Sequence, residues 1–279
     1  MKKRSIFLMT LAGLLALGIT SATAQEPKRS ITKVKGDVYR FQNNFHFALV
    51  VPTGDGVVVV DPINADAASY LRVNLKQITN ENITHLIYSH SHGDHASGGT
   101  ALRAKTVIAQ ENAPEAIDGL KPTKRFKDNY TLKVGSKTFE LTYLGKGHGT
   151  DLIAVVVRPE NVAFITDAAS PKRLPFRDMP RSDIDGWINQ IKKIESLDFE
   201  VFAPAHGSVG VKADAKDARV YMEKLRQQVL EGLKTGKSVE ELQASVTMDE
   251  YKDWQQYGNW RKMNVAGMAR HLKSSGAVK

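Results

Sequence analysis

Three pairs of short apolar segments along the chain have the pattern of β-hairpins. Segments 45–51 and 57–60 flank the turn sequence Thr53-Gly54-Asp55-Gly56, and two apolar runs around a Gly/Asp turn are typical of antiparallel strands. Alternation over 130–144 around a Val-Gly-Ser-Lys turn predicts a second hairpin, and segments 152–157 and 162–165 predict a third. The chain is therefore expected to contain antiparallel sheet.

Apolar residues with helical spacing occur between and after these hairpins. Segments 65–78, 182–194 and 217–233 each place their apolar residues on one face. Ser238-Val-Glu-Glu241 and Thr247-Met-Asp-Glu250 have the capping-box sequence, so each predicts a helix start. Hairpins mixed with helices predict an α/β (α+β) fold, an αββα sandwich of two mixed β-sheets flanked by helices.

The first 24 residues have the composition of a secretory signal peptide. A Lys-Lys-Arg start at positions 2–4 precedes an apolar stretch over 6–19, and Ala22-Thr23-Ala24 supplies the small-residue pattern of a cleavage site. We expect a mature chain that begins at Gln25. It would be periplasmic or secreted in a bacterium and would keep no stable membrane anchor after cleavage.

The remaining residues, about 255, are enough for one large domain with a full core. Residues 25–211 are expected to form the αββα domain, beginning with a loose leader over 25–35. Residues 212–279 are expected to form a helical C-terminal extension packed on the same domain. The aromatic residues of that extension, Trp254, Tyr257 and Trp260, are expected to be packing residues, with a lid over the site as the alternative.

Composition narrows the classes of function. The chain has no Cys, so it forms no disulfide and offers no thiolate to a metal, which suits an oxidising compartment. The net charge of +9 falls to +6 once the three cations at positions 2–4 are removed. No basic stripe with interleaved aromatic residues is present, so this charge favours solubility rather than a nucleic-acid partner.

A dense cluster of metal-binding side chains lies at His90-Ser91-His92-Gly93-Asp94-His95. Imidazole and carboxylate groups are ligands of divalent cations, zinc above all. Ile83 to Tyr88 has the pattern of a buried strand, and Gly98 to Leu102 has the pattern of a helix start. The ligands are therefore expected on a loop at the carboxyl end of a strand, where sites in α/β sheets lie.

This motif resembles the signature of the metallo-β-lactamase-fold superfamily. Four further elements of that family occur in this chain in the same order as in the family, one before the motif and three after it. Asp61 ends an apolar strand, as the family's upstream Asp does. Downstream, His148 lies in a Gly-rich turn, Asp167 follows an apolar strand, and His206 follows another. The resemblance covers roughly residues 36–210, and it implies the αββα fold while leaving the substrate open.

The spacing and the family pattern divide the ligands into two sets that share a carboxylate. His90, His92 and His148 are expected to bind one ion, and Asp94, His95 and His206 a second ion. Asp167 would bridge the two, and Asp61 would hydrogen-bond to the ligands from below. The resemblance thus implies two Zn²⁺ ions per chain, with Mn²⁺ or Fe²⁺ as alternative metals.

The function implied is that of an exported, zinc-dependent hydrolase that cleaves an ester, lactone, thioester or amide bond of a small molecule. A metal-bound hydroxide would attack, and Asp94 would orient it and take its proton. Because Asp167 stands where some relatives have Cys, the ligand set is most similar to the glyoxalase II and lactonase branches. Alternatives are β-lactam, phosphodiester or alkyl sulfate hydrolysis, iron-dependent persulfide oxidation, and metal binding without catalysis.

Substrate contacts are expected from two segments beside the metal ligands. Arg173 and Arg177 surround Phe176 in the segment that follows Asp167, and either cation would suit a substrate carboxylate or phosphate. A solvated charged loop is the alternative interpretation of this segment. His46 lies on or beside the first hairpin loop, which flanks the site in relatives, and it is a further candidate.

Overall fold

The computed structural model describes residues 26–278, which form two β-sheets packed face to face between layers of helix. The predicted signal peptide, residues 1–24, lies outside the described residues. The first sheet contains β1 (Arg29–Lys35), β2 (Val38–Asn43), β3 (His46–Pro52), β4 (Val57–Val60), β5 (Ile83–Ile87), β6 (Thr106–Gln110) and β7 (Lys124–Phe126). The second sheet contains β8 (Asn129–Val134), β9 (Lys137–Tyr143), β10 (Ile153–Arg158), β11 (Val162–Ile165), β12 (Val201–Pro204) and β13 (Gly210–Val211). The α-helices are α1 (Ala65–Asn74), α2 (Gly93–Ala96), α3 (Ile184–Ser196), α4 (Ala213–Lys234), α5 (Val239–Ser245) and α6 (Tyr257–Ser274).

Both sheets are mixed, as the sequence predicts. In the first sheet, β1 to β4 pair antiparallel and β4 to β7 pair parallel. In the second sheet, every pair is antiparallel except β11 with β12. The three predicted hairpins are present as β3–β4, β8–β9 and β10–β11, and the αββα architecture is confirmed.

Three hydrophobic clusters hold the layers together. One fills the space between the two sheets, with Leu49, Phe139 and Phe164 among its buried members. A second lies between the first sheet and α1. The third joins the second sheet to α3, α4, α5 and α6, and it is the largest of the three. The burial of apolar area in these layers is the main force that holds the sandwich together.

Two parallel strand pairs, one in each sheet, position the site. Parallel strands end at the same edge, and Val60 of β4 is in register with Ile87 of β5. In the second sheet, Ile165 of β11 is in register with Pro204 of β12. Backbone bonds join the sheets at this edge, for example from Phe47 N–H to the Ala205 carbonyl at 2.9 Å. The loops that leave all four strands therefore converge.

The C-terminal helices pack on the outer side of the second sheet. Arg226 of α4 donates to Asp185 of α3 at 2.6 Å, and Tyr221 of α4 donates to Asn264 of α6 at 2.7 Å. The capping box predicted at Ser238 is formed, since Ser238 and Glu241 each accept the other's backbone N–H. Among residues 26–278, no helix combines the length and apolar character that crossing a membrane requires.

The predicted leader over 25–35 is wrong, because Arg29–Lys35 form strand β1, with Ile31 opposite Phe41 of β2. Its cations suggest a loop, but charged residues are common on the edge strand of a sheet. The helix start predicted at Gly98 is also wrong. The segment Gly99–Leu102 forms a single 3₁₀ turn instead. The flanking residues Gly98 and Arg103 have left-handed φ angles of 75° and 55°, which a helix cannot continue through.

The helix start predicted at Thr247-Met-Asp-Glu250 is replaced by a 3₁₀ turn, Asp249–Tyr251. Met248 precedes this turn with φ of 54°, its side chain is buried, and no side chain caps the turn. The Thr247 carbonyl accepts a hydrogen bond from the Tyr257 hydroxyl instead. The next α-helix, α6, begins only at Tyr257.

Candidate metal centre

Loops at the converging edge carry all the ligands expected from the sequence. The segment after β5 runs into α2, the loop between β9 and β10 supplies one further His, and β11 and β12 each lead directly to one more side chain. The side chains brought together are His90, His92, Asp94, His95, His148, Asp167 and His206. They form two groups, and within each group the potential ligand atoms all lie within 4.8 Å of one another.

The first group contains His90, His92, His148 and Asp167. Nε2 of His148 lies 3.1 Å from Nδ1 of His92 and 3.1 Å from Oδ2 of Asp167. Nε2 of His90 lies 3.4 Å from the same carboxylate oxygen. Three imidazole nitrogens thus surround one point beside Asp167 Oδ2.

The second group contains Asp94, His95, His206 and Asp167. Nε2 of His95 and Nε2 of His206 lie 3.2 Å apart, and each is 3.2 Å from Oδ1 of Asp167. Oδ2 of Asp94 is 3.6 Å from Nε2 of His95. The two oxygens of Asp167 therefore face different groups, an arrangement that allows this carboxylate to bridge two ions.

These distances fit divalent cations. With metal–nitrogen bonds of about 2.0–2.1 Å, the corners of a tetrahedral site are about 3.3 Å apart, close to the separations found in both groups. Nε2 of His90 is also buried without a hydrogen-bond partner. A buried polar atom without a partner is costly, and a cation between these nitrogens would satisfy it. The donor set, imidazole with carboxylate and no thiolate, suits zinc, manganese or iron.

The charge states within the site follow from its burial and its crowding. Burial, with the nearby rings of His90 and His148, lowers the pKa of His92 to about 4. Burial alone would raise the pKa of Asp167, but the surrounding imidazoles outweigh it and hold that pKa well below its usual range. Asp167 is therefore ionised and His92 is neutral near pH 7, which are the forms that bind a metal.

Asp61 lies below both groups and contacts one ring of each, directly or through Ser89. Its carboxylate, fully buried, accepts hydrogen bonds from the Ser89 N–H at 2.8 Å and the Ser89 hydroxyl at 2.6 Å. The Ser89 hydroxyl lies 3.0 Å from Nδ1 of His90, and Asp61 Oδ2 lies 3.5 Å from Nδ1 of His95. Contacts of this kind fix the ring orientation of metal-binding His residues.

Two side chains of α3 hold the His148 loop, and the sequence analysis missed both. Gln190, fully buried, bonds to the backbone of this loop through both ends of its amide. The Trp187 ring packs edge-on against the His148 ring, with centroids 4.7 Å apart. A Cβ on Gly147 would lie 2.5 Å from the Trp187 backbone nitrogen, so only Gly allows this approach. The sequence signal that could have identified Gln190 is its position on the apolar face of the helix predicted over 182–194.

A cavity of about 870 Å³ opens over the ligands. His46, Arg173 and Phe176 line it, as the sequence analysis expects, whereas Arg177 does not and Arg181 does. The Arg177 guanidinium instead lies 5.6 Å from the centre of the Phe176 ring.

The C-terminal aromatic residues pack against the helical core, as expected, and two of them also line the cavity. Trp254 and Trp260 line the cavity, and Trp260 packs edge-on against Phe176 with centroids 5.2 Å apart. Tyr257, in contrast, donates to the Thr247 carbonyl. The 3₁₀ turn before α6 places the two Trp side chains beside the loop that follows Asp167, a contact between segments about 85 residues apart that spacing alone does not predict.

Three comparisons relate the chain to known proteins. A family model described as the metallo-beta-lactamase superfamily matches residues 43–206. A metallo-beta-lactamase type 2 from Elizabethkingia meningoseptica is 29% identical over 219 residues, which cover 67% of this chain and 82% of that protein. A hydroxyacylglutathione hydrolase from Francisella tularensis subsp. tularensis (strain WY96-3418) is 26% identical over 151 residues, which cover 53% of this chain and only 58% of that protein.

Among solved structures, a metallo-beta-lactamase from Pontibacter korlensis matches with a TM-score of 0.60 and 18% sequence identity. The match covers 70% of this chain and 99% of the other, and it shows a shared fold. The family model spans more than half of the chain and includes all seven candidate ligands. The chain therefore belongs to the metallo-beta-lactamase superfamily.

Proposed function

We propose that the protein is an exported metal-dependent hydrolase that uses two divalent ions, zinc in preference to manganese or iron, to cleave an ester, lactone or thioester bond of a small molecule. The observation that carries the proposal is the position of Asp167. Its two oxygens face two separate groups of ligand atoms, and no Cys exists in the chain to replace it.

When bound, a pair of divalent ions supplies Lewis acidity and lowers the pKa of a coordinated water from about 15.7 toward 7. Asp94, whose half-exposed side chain lines the cavity, would hold one of the ions and accept a proton at its carboxylate. Burial acts to raise the pKa of Asp94, but the contact with His46 and the charge of His95 outweigh it and hold the pKa well below its usual range.

His46 and Arg173 provide further contacts around the reacting group. Nε2 of His46 lies 3.3 Å from Oδ2 of Asp94, so His46 holds that carboxylate in position at the mouth of the cavity. The Arg173 guanidinium faces the cavity near Asp167. It is suited to bind an anionic group on the substrate. The backbone carbonyl of Phe45 lies 2.9 Å from Nδ1 of His206 and fixes that ring.

The relatives support two neighbouring reactions. Similarity to a protein named hydroxyacylglutathione hydrolase favours cleavage of a small acyl compound, and similarity to a metallo-beta-lactamase type 2 favours β-lactam cleavage as a second candidate. We place the acyl compound first because the shared ligand is a carboxylate. Asp167 would hold both ions through a ligand harder than thiolate, as in the relatives that cleave acyl compounds rather than in those with a Cys ligand.

The test is a comparison of substrates on one metal-loaded sample. Metal content is measured first, and kcat/KM is then determined for nitrocefin, a homoserine lactone and an acyl thioester. We expect about two ions per chain, loss of turnover with a chelator, and higher efficiency on the lactone or thioester. Efficiency on nitrocefin of about 10⁴ M⁻¹s⁻¹ or more, with the other two negligible, would instead establish the β-lactam alternative.

A further inference from the structure

The cavity over the metal ligands continues into the interior of the helical layer. Beyond Asp167 it is lined by Trp187 and Ile191 of α3 and by Tyr221 and Met222 of α4. Each of these four side chains is at most 1% exposed. The total volume of about 870 Å³ lies within the range of about 300–1,000 Å³ that is usual for small-molecule sites. A substrate held at the metal ligands thus has room to extend into the core.

The deep end of this cavity offers no free polar partner. The Trp187 indole N–H donates to the Ala168 carbonyl at 2.7 Å, and the Tyr221 hydroxyl donates to Asn264 at 2.7 Å. Among residues 26–278, none of the buried side-chain polar atoms that lack a partner belongs to α3 or α4. A polar group placed there would lose its bonds to water without replacement, whereas an apolar group would gain from burial.

Three polar side chains of the cavity lie at its other end. Asp94, His46 and Arg173 are close to the candidate ligands, and the Arg173 guanidinium lies 4.8 Å from the centre of the Trp260 ring. Phe176 packs against the same Trp260 ring. The cavity is therefore polar where the reaction would occur and apolar where the chain of a substrate would extend.

We propose that the deep end between α3 and α4 binds an apolar acyl chain, so that the substrates are esters, lactones or thioesters of medium-length acyl groups. This inference rests on the proposed hydrolase function and specifies its substrate class. In the reaction, the oxygen of water bonds to the acyl carbon, and the bond from that carbon to the alcohol oxygen or thiol sulfur breaks. An ester or thioester gives a carboxylate, which keeps the chain, and an alcohol or thiol, whereas a lactone gives a single hydroxycarboxylate. Each reaction releases one proton.

Binding can be measured without turnover, because all three tryptophans of the protein line this cavity. Intrinsic fluorescence of the metal-loaded protein is followed during titration with straight-chain carboxylates of two, four, eight and ten carbons. We expect affinity to increase about fourfold for each added methylene until the cavity is filled, which is the usual effect of burying a methylene. Equal affinities for the two-carbon and eight-carbon acids would overturn the proposal.

Two substitutions in the wall test the location in opposite directions. Ala218 of α4 lines the deep end, so Ala218→Leu should weaken binding of the eight-carbon acid, relative to acetate, by tenfold or more. Met222→Ala enlarges the same space and should shift the preference toward ten carbons. The matched control is Ala244→Leu, on the exposed side of α5, which should keep the wild-type dependence on length. An equal effect of Ala244→Leu and Ala218→Leu would overturn the proposed location.

The two proposals fail in different ways. Hydrolysis of p-nitrophenyl acetate and p-nitrophenyl octanoate is measured on the same samples. Turnover of both esters with no dependence on chain length, in binding or in kcat/KM, would overturn the acyl-chain site and leave the hydrolase proposal in place. Length-dependent binding without turnover of esters, lactones or thioesters would support the apolar site and overturn the hydrolase proposal. If Ala218→Leu does not fold, Met222→Ala still tests the location.

Discussion

The side-chain oxygen of Gln190 accepts a hydrogen bond of 2.8 Å from the backbone N–H of His148. The nitrogen of the same amide donates to the Gly145 carbonyl at 2.7 Å. Both ends of one buried side chain on α3 therefore fix the loop that carries a candidate metal ligand. The position of His148 depends in this way on the packing of a helix 42 residues further along the chain.

Gln190→Leu should weaken metal binding by about 10–100-fold, the usual effect of removing a residue that orients a ligand. It should also lower the free energy of unfolding by about 1–3 kcal/mol, because a buried N–H loses its acceptor. Competition with a chromophoric chelator measures the first effect, and denaturant unfolding measures the second. Gln227→Leu, on the exposed side of α4, is the matched control. Wild-type metal affinity in Gln190→Leu would contradict this role.

Asp167→Ala should loosen at least one of the two ions and lower kcat far more than it changes KM. The carboxylate faces both groups of ligands, so its loss affects the attacking water rather than the binding of substrate. Metal content per chain and steady-state kinetics provide the measurement. Asp198→Ala removes a carboxylate that is 91% exposed and should behave as wild type. Two tightly bound ions in Asp167→Ala would show that Asp167 is not a shared ligand.

Arg173→Gln should raise KM for an anionic substrate by about tenfold, since a charge-assisted contact contributes about 1.5–3 kcal/mol. Arg177→Gln is the matched control, because Arg177 lies on the same loop but does not line the cavity. We expect near wild-type KM for that variant. The comparison requires kinetics with one anionic and one neutral substrate, and an equal rise in KM for both substrates would argue against a charge contact.

Acid should remove the stabilising effect of Asp185. The hydrogen bond from Arg226 lowers the pKa of Asp185, so its contribution is present above the unfolded-state pKa of about 3.9 and is lost as pH falls through the lower, folded-state value. The side chain is 44% exposed, so Asp185→Asn should lower the free energy of unfolding by only about 0.5 kcal/mol at pH 7. Urea unfolding of metal-free samples at neutral pH and near pH 3 measures this difference. If the difference in unfolding free energy between wild type and Asp185→Asn were larger near pH 3 than at neutral pH, the prediction would be contradicted.

The N-terminal sequence predicts a mature protein that begins at Gln25. Because the basic start, the apolar stretch and the Ala-x-Ala pattern act together as an export signal, protein recovered from the periplasm should have the mass of residues 25–279. Intact-mass spectrometry makes the measurement, and replacing Ala22 and Ala24 with bulky residues should block cleavage. Protein of full length, beginning at Met1, in the periplasm of cells with the unaltered sequence would contradict the prediction.

The sequence was sufficient for the features that depend on local pattern. The hairpins follow from apolar runs around Gly-containing turns, and α3 follows from the spacing of Ile184, Trp187, Ile188, Ile191 and Ile194. The side chains that converge on Asp167 were expected because His90 to His95 form a dense cluster of metal-binding residues and because the resemblance to the family extends to His148, Asp167 and His206. Side chains at the carboxyl ends of neighbouring parallel strands meet at one edge of a sheet.

Contacts between distant segments could not be predicted from the sequence. Nothing near Gln190 in the sequence identifies the His148 loop as its partner, and nothing near Trp260 indicates that it packs against Phe176. Arg177 and Arg181 are both cations on one loop, and the sequence does not indicate that Arg181 lines the cavity while Arg177 does not. Predictions of this kind require the packing of helices on the second sheet, which a single sequence does not specify.

The candidate metal ligands and much of the cavity wall come from different parts of the chain. The last candidate ligand is His206, whereas Tyr221, Met222, Trp254 and Trp260, which form much of the cavity wall, all come later. Mutations in the final quarter of the gene can therefore change the shape of the cavity without altering any candidate ligand. New substrate preferences are accessible to evolution through that segment alone, and a library confined to it would explore specificity while the reactive centre stays intact.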